Sequence, residues 1–385
     1  MDKVICPVCG FAGHNIKSHF IGGNTPTCKI TKEDFVSRYP DFKMTSDAFE
    51  RALNKLQNKP ISDIHAPEEK KPIGITDPKD LTPCEYDVEK IFGFNLKKKM
   101  DVTGFVQKTS YVPDIDPDYV FSKKVTMQVI LGLNTNRPVM LHGPTGSGKT
   151  TLIEQIAARI NYPVMKINHH ADMYSYDILG QKVVENGDMK FEYGPLPFSM
   201  QRPFIYIQDE WDALNPEIAL QYQAVLERRH DGRLGNLVLS ANAGEKVQSN
   251  KYFRIIATSN TCGLGDDTGH YQGTQIQNLA FISRFLLRTK LEYLEPTDEK
   301  KIIAKKFPNL TEEETSAFTT VSNKIRKQYE GGVLNVPFSL RDLINWIDLY
   351  ILVGKAESAI KMACTSILPF SDSSAIHEIV QRYFP

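Results

Sequence analysis

Leu141-His142-Gly143-Pro144-Thr145-Gly146-Ser147-Gly148-Lys149-Thr150-Thr151 carries the spacing G-x-x-x-x-G-K-[ST], opening at Gly143 and closing on Lys149-Thr150. Pro138-Val139-Met140-Leu141 in front of it reads as a short buried strand, and Thr151 to Ile160 behind it as an amphipathic helix. Strand before and helix after is the context a phosphate-binding loop needs. Glycines let backbone N–H groups wrap a polyphosphate, and the N-terminus of the following helix adds a positive dipole end. Gly143, Pro144, Thr145, Gly146, Ser147, Gly148 and Thr151 form the expected cradle. Lys149 is expected on the β- and γ-phosphates of a nucleoside triphosphate, and the Thr150 hydroxyl on Mg²⁺.

A second stretch points from binding towards hydrolysis. Pro203-Phe204-Ile205-Tyr206-Ile207-Gln208-Asp209-Glu210-Trp211-Asp212 is an apolar strand that runs into carboxylates. Asp209 is expected to hold Mg²⁺ through water, and Glu210 to orient and deprotonate the attacking water. One acid for the metal and one for the nucleophile is what phosphoryl transfer to water requires, since the remainder is positioning and charge neutralisation.

The 385 residues exceed one ordinary domain. A formal net charge of zero gives no overall electrostatic reason to expect nucleic acid or an anionic membrane as main partner. No apolar run approaches a membrane span and the N-terminus has no signal-peptide pattern, so a cytoplasmic protein is expected. Composition and periodicity divide the chain into a small module over 1–57, a Pro- and Lys-rich linker over 58–84, a nucleotide domain with an N-terminal arm over 85–291, and a mostly helical lid over 292–385. Strands and helices alternate from about 125 to 290, the pattern of an α/β fold with a parallel sheet flanked by helices. Further strands are expected at 163–167, 203–208, 252–259 and 285–291, and a hairpin about Asn186-Gly187 within 181–194.

Cys6, Cys9 and Cys28 crowd the first thirty residues, which in a cytosolic chain suggests metal rather than disulfides. Cys6-Pro7-Val8-Cys9-Gly10 has the C-x₂-C spacing of a Zn²⁺ knuckle, and tetrahedral zinc needs two more ligands. His19, on an expected helix over 15–20, and Cys28 are the first choice, with His14 as the rival to His19. The module resembles the Ros/MucR-type zinc fingers, in which a second histidine stands where this chain has Cys28. Such fingers often read DNA, but no basic face stands out here, and protein docking is at least as well supported.

Ile256 to Thr261 is a strand ending in Asn260, which is expected between the two nucleotide segments, touching the γ-phosphate or the water. Together with "DIDPDYVF", "HGPTGSGKTT", "DEWDALNPE" and "ATSNTCGLGDDTGHYQGTQ", up to Ser283-Arg284-Phe285, these segments resemble the AAA+ ATPases of the MoxR branch. Within that branch the likeness is to the small ATPase subunits of aerobic cobaltochelatases. The resemblance implies an ATP-hydrolysing ring, commonly a hexamer, with ATP at subunit interfaces. It implies an arginine finger at Arg284, completing the neighbouring subunit's site, and a lid arginine at Arg341 near the start of a helix capped by Ser339. It also implies a von Willebrand A-domain partner. A remodelling motor acting on such a partner is the leading expectation; metal insertion and a DNA-associated ATPase recruited by its finger are the alternatives.

Overall fold

The computed structural model describes residues 4–9, 12–13, 28, 31–40, 42–45, 78–265 and 273–384. The chain divides into two units, Met1–Gly74 and Ile75–Pro385. In the first, β1 (Val4–Ile5) pairs antiparallel with β2 (Ala12–Gly13), and Cys6 to Cys9 lie in the connection between them. Helix α1 (Lys32–Arg38) starts at Thr31, whose hydroxyl accepts from Asp34 N at 3.2 Å. Cys6, Cys28 and Phe35 are buried, with Val4, Phe42 and Met44 packed on them. The helix expected over 15–20, His14, His19 and positions 58–77 of the expected linker lie outside the described residues.

The second unit begins inside the stretch expected to be linker, with a 3-10 turn at Pro78–Asp80. Next comes an antiparallel pair, β3 (Pro83–Asp87) and β4 (Asp101–Phe105), joined through α2 (Val88–Phe92). The Asp87 carboxylate caps α2 by accepting from Glu89 N and Lys90 N. After α3 (Lys123–Thr135) and β5 (Val139–His142) come α4 (Lys149–Arg159), β6 (Val164–Asn168) and α5 (Ser175–Leu179). The hairpin β7 (Gly180–Glu185) and β8 (Asp188–Tyr193) turns on Asn186 and Gly187, at φ 53° and 86°, the left-handed pair a two-residue turn demands. Then follow α6 (Pro195–Met200), β9 (Ile205–Asp209), α7 (Pro216–Ala219), α8 (Gln223–Leu226), β10 (Leu237–Leu239), β11 (Glu245–Val247), β12 (Arg254–Ser259), α9 (Leu279–Ile282) and β13 (Leu287–Lys290).

Five of these strands form one parallel sheet in the order β13-β5-β12-β9-β6. They are the five strands expected from the apolar runs. The inner strands β5, β9 and β12 are buried nearly throughout, which is why they read as continuous apolar runs rather than alternating ones. Alternate residues still serve opposite cores. Val139, Leu141, Ile205, Ile207 and Ile256 pack with α3 and α4, while Met140, Tyr206, Ile255 and Ala257 face the layer containing Tyr222, Phe281 and Phe285.

The C-terminal part is helical, as expected: α10 (Pro296–Lys306), α11 (Glu312–Glu330), α12 (Leu340–Val353), α13 (Ala356–Ala363) and α14 (Phe370–Gln381). Its separate core centres on Phe318 and Trp346, whose rings meet edge-on at 4.6 Å. Arg326 and Glu299 form a buried ion pair there at 2.6 Å, and Arg326 Nε also donates to Phe338 O. That bond fixes the chain just ahead of Ser339, the N-cap of α12.

Candidate nucleotide site

Ligands of an open parallel sheet lie at the carboxyl ends of its strands. Here the ends of three adjacent strands converge. β5 runs into the glycine loop 143–148, β9 ends on Asp209-Glu210, and β12, between them, ends on Ser259-Asn260. The loop has the backbone its sequence suggests, with Gly143, Gly146 and Gly148 at φ 147°, 71° and 87°. A Cβ on Gly143 would meet Leu291 O at 2.0 Å, and one on Gly146 would meet Ser339 Cβ at 2.3 Å. The loop is thus wedged between the sheet and the start of α12, and side chains are excluded at both points.

Lys149, only 9% exposed, starts α4, and its Nζ donates to Gly143 O at 2.8 Å, Pro144 O at 3.0 Å and Asn260 Oδ1 at 2.9 Å. Burial brings its ammonium down to about 8, opposed by the carboxylates of Asp212, Asp209 and Glu210. The Thr150 hydroxyl donates to Asp209 Oδ1 at 2.6 Å, and Thr258 Oγ1 donates to the same oxygen. A hydroxyl and a carboxylate side by side are the oxygen donors that Mg²⁺ takes in such loops, and the residues fit the ion. The Ser147 hydroxyl is buried without a partner among the described residues, a donor suited to an anionic ligand.

Glu210 sits in the left-handed region at φ 52°, and its N–H donates to Thr258 Oγ1 at 3.3 Å. Burial, then the neighbouring Asp209 and Asp212, push its carboxyl above the usual range, while Lys149 pulls it back. Behind Asp209 stands a buried relay that no motif marks. Asp209 O faces His169 Nδ1 at 3.1 Å, His169 Nε2 faces the Tyr222 hydroxyl at 3.0 Å, and that hydroxyl lies 3.0 Å from the one on Tyr206. Burial lowers His169 to about 4, so it is neutral near pH 7. A carbonyl can only accept; Nδ1 therefore carries the proton, and Nε2 accepts from Tyr222.

A cleft of about 330 Å³ opens beside the loop. The arm, the loop and the helical part each form a wall, through Asp118-Tyr119-Val120, Gly146-Ser147-Gly148, and Ile302, Arg341 and Ile344. The arm is pinned to α4, with Asp116 N donating to Gln155 Oε1 at 2.8 Å and Arg159 donating to Asp116 O at 2.8 Å. Tyr293 OH donates to Thr145 O at 3.3 Å. Ser339 caps α12 in a capping box with Asp342 and sets Arg341, exposed, at the lip of the cleft. Tyr119 and Val120 lie in the "DIDPDYVF" segment; Tyr293 and Ile302 bear no motif, and only tertiary packing brings them here.

Arg284 lies elsewhere. It follows α9, is 25% exposed, and is held by Glu227 Oε1 at 3.0 Å and Ala280 O at 2.6 Å. It does not line the cleft of its own chain. In the first unit the Sγ atoms of Cys6, Cys9 and Cys28 all lie within 4.8 Å of one another, and all three thiols are free. Three converging sulfur donors fit a soft divalent ion such as Zn²⁺. Gly265 and Gly273 bracket residues 266–272 of the long "GLGDDTGHYQGTQ" block, which lie outside the described residues.

A family model for the AAA domain of the dynein-related subfamily matches residues 138–285. The chain is 32% identical to the aerobic cobaltochelatase subunit CobS of Sinorhizobium sp over 313 residues, covering 79% of this chain and 92% of that one. It is 25% identical to the uncharacterized protein YojN of Bacillus subtilis over 68% of this chain and 82% of the relative. Among solved structures, the Thermotoga maritima RuvB Holliday junction branch migration motor matches with 14% identity and a TM-score of 0.41, covering 68% of this chain and 75% of that one.

Proposed function

Because the chain belongs to the AAA+ ATPase family of the CobS subunit, we propose that it is a Mg²⁺-dependent ATPase ring motor that remodels a partner protein carrying a von Willebrand A domain. The ATPase part of this reading is supported by the convergence of Lys149, Thr150, Asp209, Glu210 and Asn260 at three neighbouring strand ends, and the ring and the partner by the likeness to CobS. Backbone N–H groups of the loop and the Lys149 ammonium bind the phosphates of ATP, whose base lies against the apolar wall of Val120, Ile302 and Ile344. Thr150 and Asp209 would hold Mg²⁺, which when bound would supply charge neutralisation for the phosphates. Glu210 takes a proton from the attacking water while the new P–O bond forms and the bond to ADP breaks, and Asn260 orients that water. Arg341 reaches the phosphates from the lip of the cleft. Arg284, outside its own cleft, serves the neighbouring subunit's ATP, as its exposure beside Glu227 allows.

In the first unit, Cys6, Cys9 and Cys28 hold a structural Zn²⁺ with a histidine, His19 ahead of His14, and the module docks the motor to its partner rather than to DNA. The likeness to CobS favours a second reading, an ATPase subunit driving metal insertion. A Glu210→Gln variant, loaded with ATP, separates the two when used as bait. Capture of a von Willebrand A protein without a porphyrin-binding subunit supports the remodelling motor. Capture of both, with ATP-dependent cobalt insertion on adding them back, supports the chelatase. Recovery of neither removes both assignments of the partner.

A further inference from the structure

Asp212 is fully buried two residues after Glu210, in the 3-10 turn Trp211–Ala213. Its Oδ2 accepts from three donors on the segment that leaves β12: Asn260 N at 3.1 Å, Thr261 N at 3.0 Å and Thr261 Oγ1 at 2.8 Å. Its other oxygen, Oδ1, is buried with no partner among the described residues. The backbone of Asp212 is engaged as well, its carbonyl accepting from Gln275 N at 2.7 Å. One carboxylate therefore ties the turn after β9 to the turn after β12, at the point where the water-activating acid and the amide of Asn260 must face the same phosphate.

We propose that Asp212 is a positioning residue for ATP hydrolysis, acting through Asn260. The inference deepens the ATPase reading given above and rests on it. A carboxylate suits the task for a geometric reason. Three donors converging on one oxygen form charge-assisted hydrogen bonds, roughly twice as strong as neutral ones. An asparagine at this position could present its oxygen to those donors only by turning its NH₂ to the place of Oδ1, where nothing accepts it. The same acid lies close enough to Lys149 to be the leading carboxylate opposing the effect of burial on that ammonium. Asn260 Oδ1 accepts from Lys149 Nζ at 2.9 Å, so the Asn260 amide meets the cation of the glycine loop directly. Loss of the Asp212 clamp lets Asn260 drift while the glycine loop and Lys149 remain, which costs turnover more than nucleotide affinity.

The test is a double-mutant cycle on the full chain, with ATPase turnover and binding of a fluorescent ATP analogue as separate readouts. Asp212→Asn is expected to lower kcat about tenfold, with nucleotide affinity within about twofold of the parent. In an Asn260→Ala background the same substitution is expected to have no further effect, since groups acting as a unit do not add. Thr261→Val, which removes one of the three donors, is expected to give a smaller loss that also vanishes in the Asn260→Ala background; it carries the test if Asp212→Asn fails to fold. Losses that multiply between the two sites, or unchanged turnover in a folded Asp212→Asn, overturn the inference alone. Full turnover in Asn260→Ala overturns the reading of Asn260 as well.

Discussion

Lys149 is the residue on which most of the site's electrostatics turn. Three acceptors hold its ammonium, and burial brings it down to about 8 even though Asp212, Asp209 and Glu210 all favour its charge. Phosphates bind the charged form, so affinity for ATP should fall as pH rises through about 8, when the free protein begins to lose that proton. A plot of log Kd against pH should be flat below this value and climb above it, and a flat line to pH 10 would mean another group carries the charge. Lys149→Ala should abolish nucleotide binding. If Glu210 takes the water's proton, Glu210→Gln should retain ATP and lose hydrolysis by at least about a hundredfold, because only that group is removed. Parallel titrations and turnover assays check both, and equal binding defects would make Glu210 structural. These residues were legible in the sequence because each sits in a short motif whose spacing is itself the geometry. Asp212, Thr258 and His169 were not legible, since their partners lie some 40 to 50 positions away in the chain.

At the scale of elements, buried parallel strands announce themselves as apolar runs, and all five strands of the sheet fell where such runs predicted. The β3–β4 pair did not, because it is half-exposed, opens with Pro83 and Cys84, and lies partly in a stretch that reads as linker. The first unit shows the opposite limit. Among its described residues the buried cluster is Cys6, Cys28 and Phe35, two of them thiols, so a metal held there would add directly to the folding energy of the unit. If the three converging thiols bind Zn²⁺, metal binding supplies that folding energy. The intact chain should then carry about one Zn²⁺. Cys6→Ser with Cys9→Ser should remove it, with loss of helical signal and early proteolysis confined to the first seventy or so residues, while ATP turnover persists. Elemental analysis and limited proteolysis check this, and unchanged metal content in the double variant would remove the zinc assignment.

Whole-molecule behaviour is where sequence says least, because a strand order such as β13-β5-β12-β9-β6 depends on contacts between distant segments, and a subunit interface on residues that one chain alone leaves idle. Arg284 rests on Glu227 and Ala280, away from the cleft its own chain forms. If it completes the site of the next subunit, Arg284→Ala alone and Glu210→Gln alone should each be inactive. Mixed under conditions where subunits exchange, they should recover part of the activity. Some interfaces then join an intact Glu210 on one chain to an intact Arg284 on the next, and a transition-state cation supplied from outside still serves. For a ring in which each site draws on two chains, random mixing at equal amounts leaves about one interface in four with both groups intact. Turnover should therefore peak near equal mixing at roughly a quarter of the parent rate, when neighbouring sites fire independently, and lower when they must fire together. ATPase rate against mixing ratio, with ring mass confirmed on the same samples, decides the matter. A flat, inactive curve in confirmed mixed rings would place Arg284 outside the shared site and leave its pair with Glu227 as a feature of the single chain.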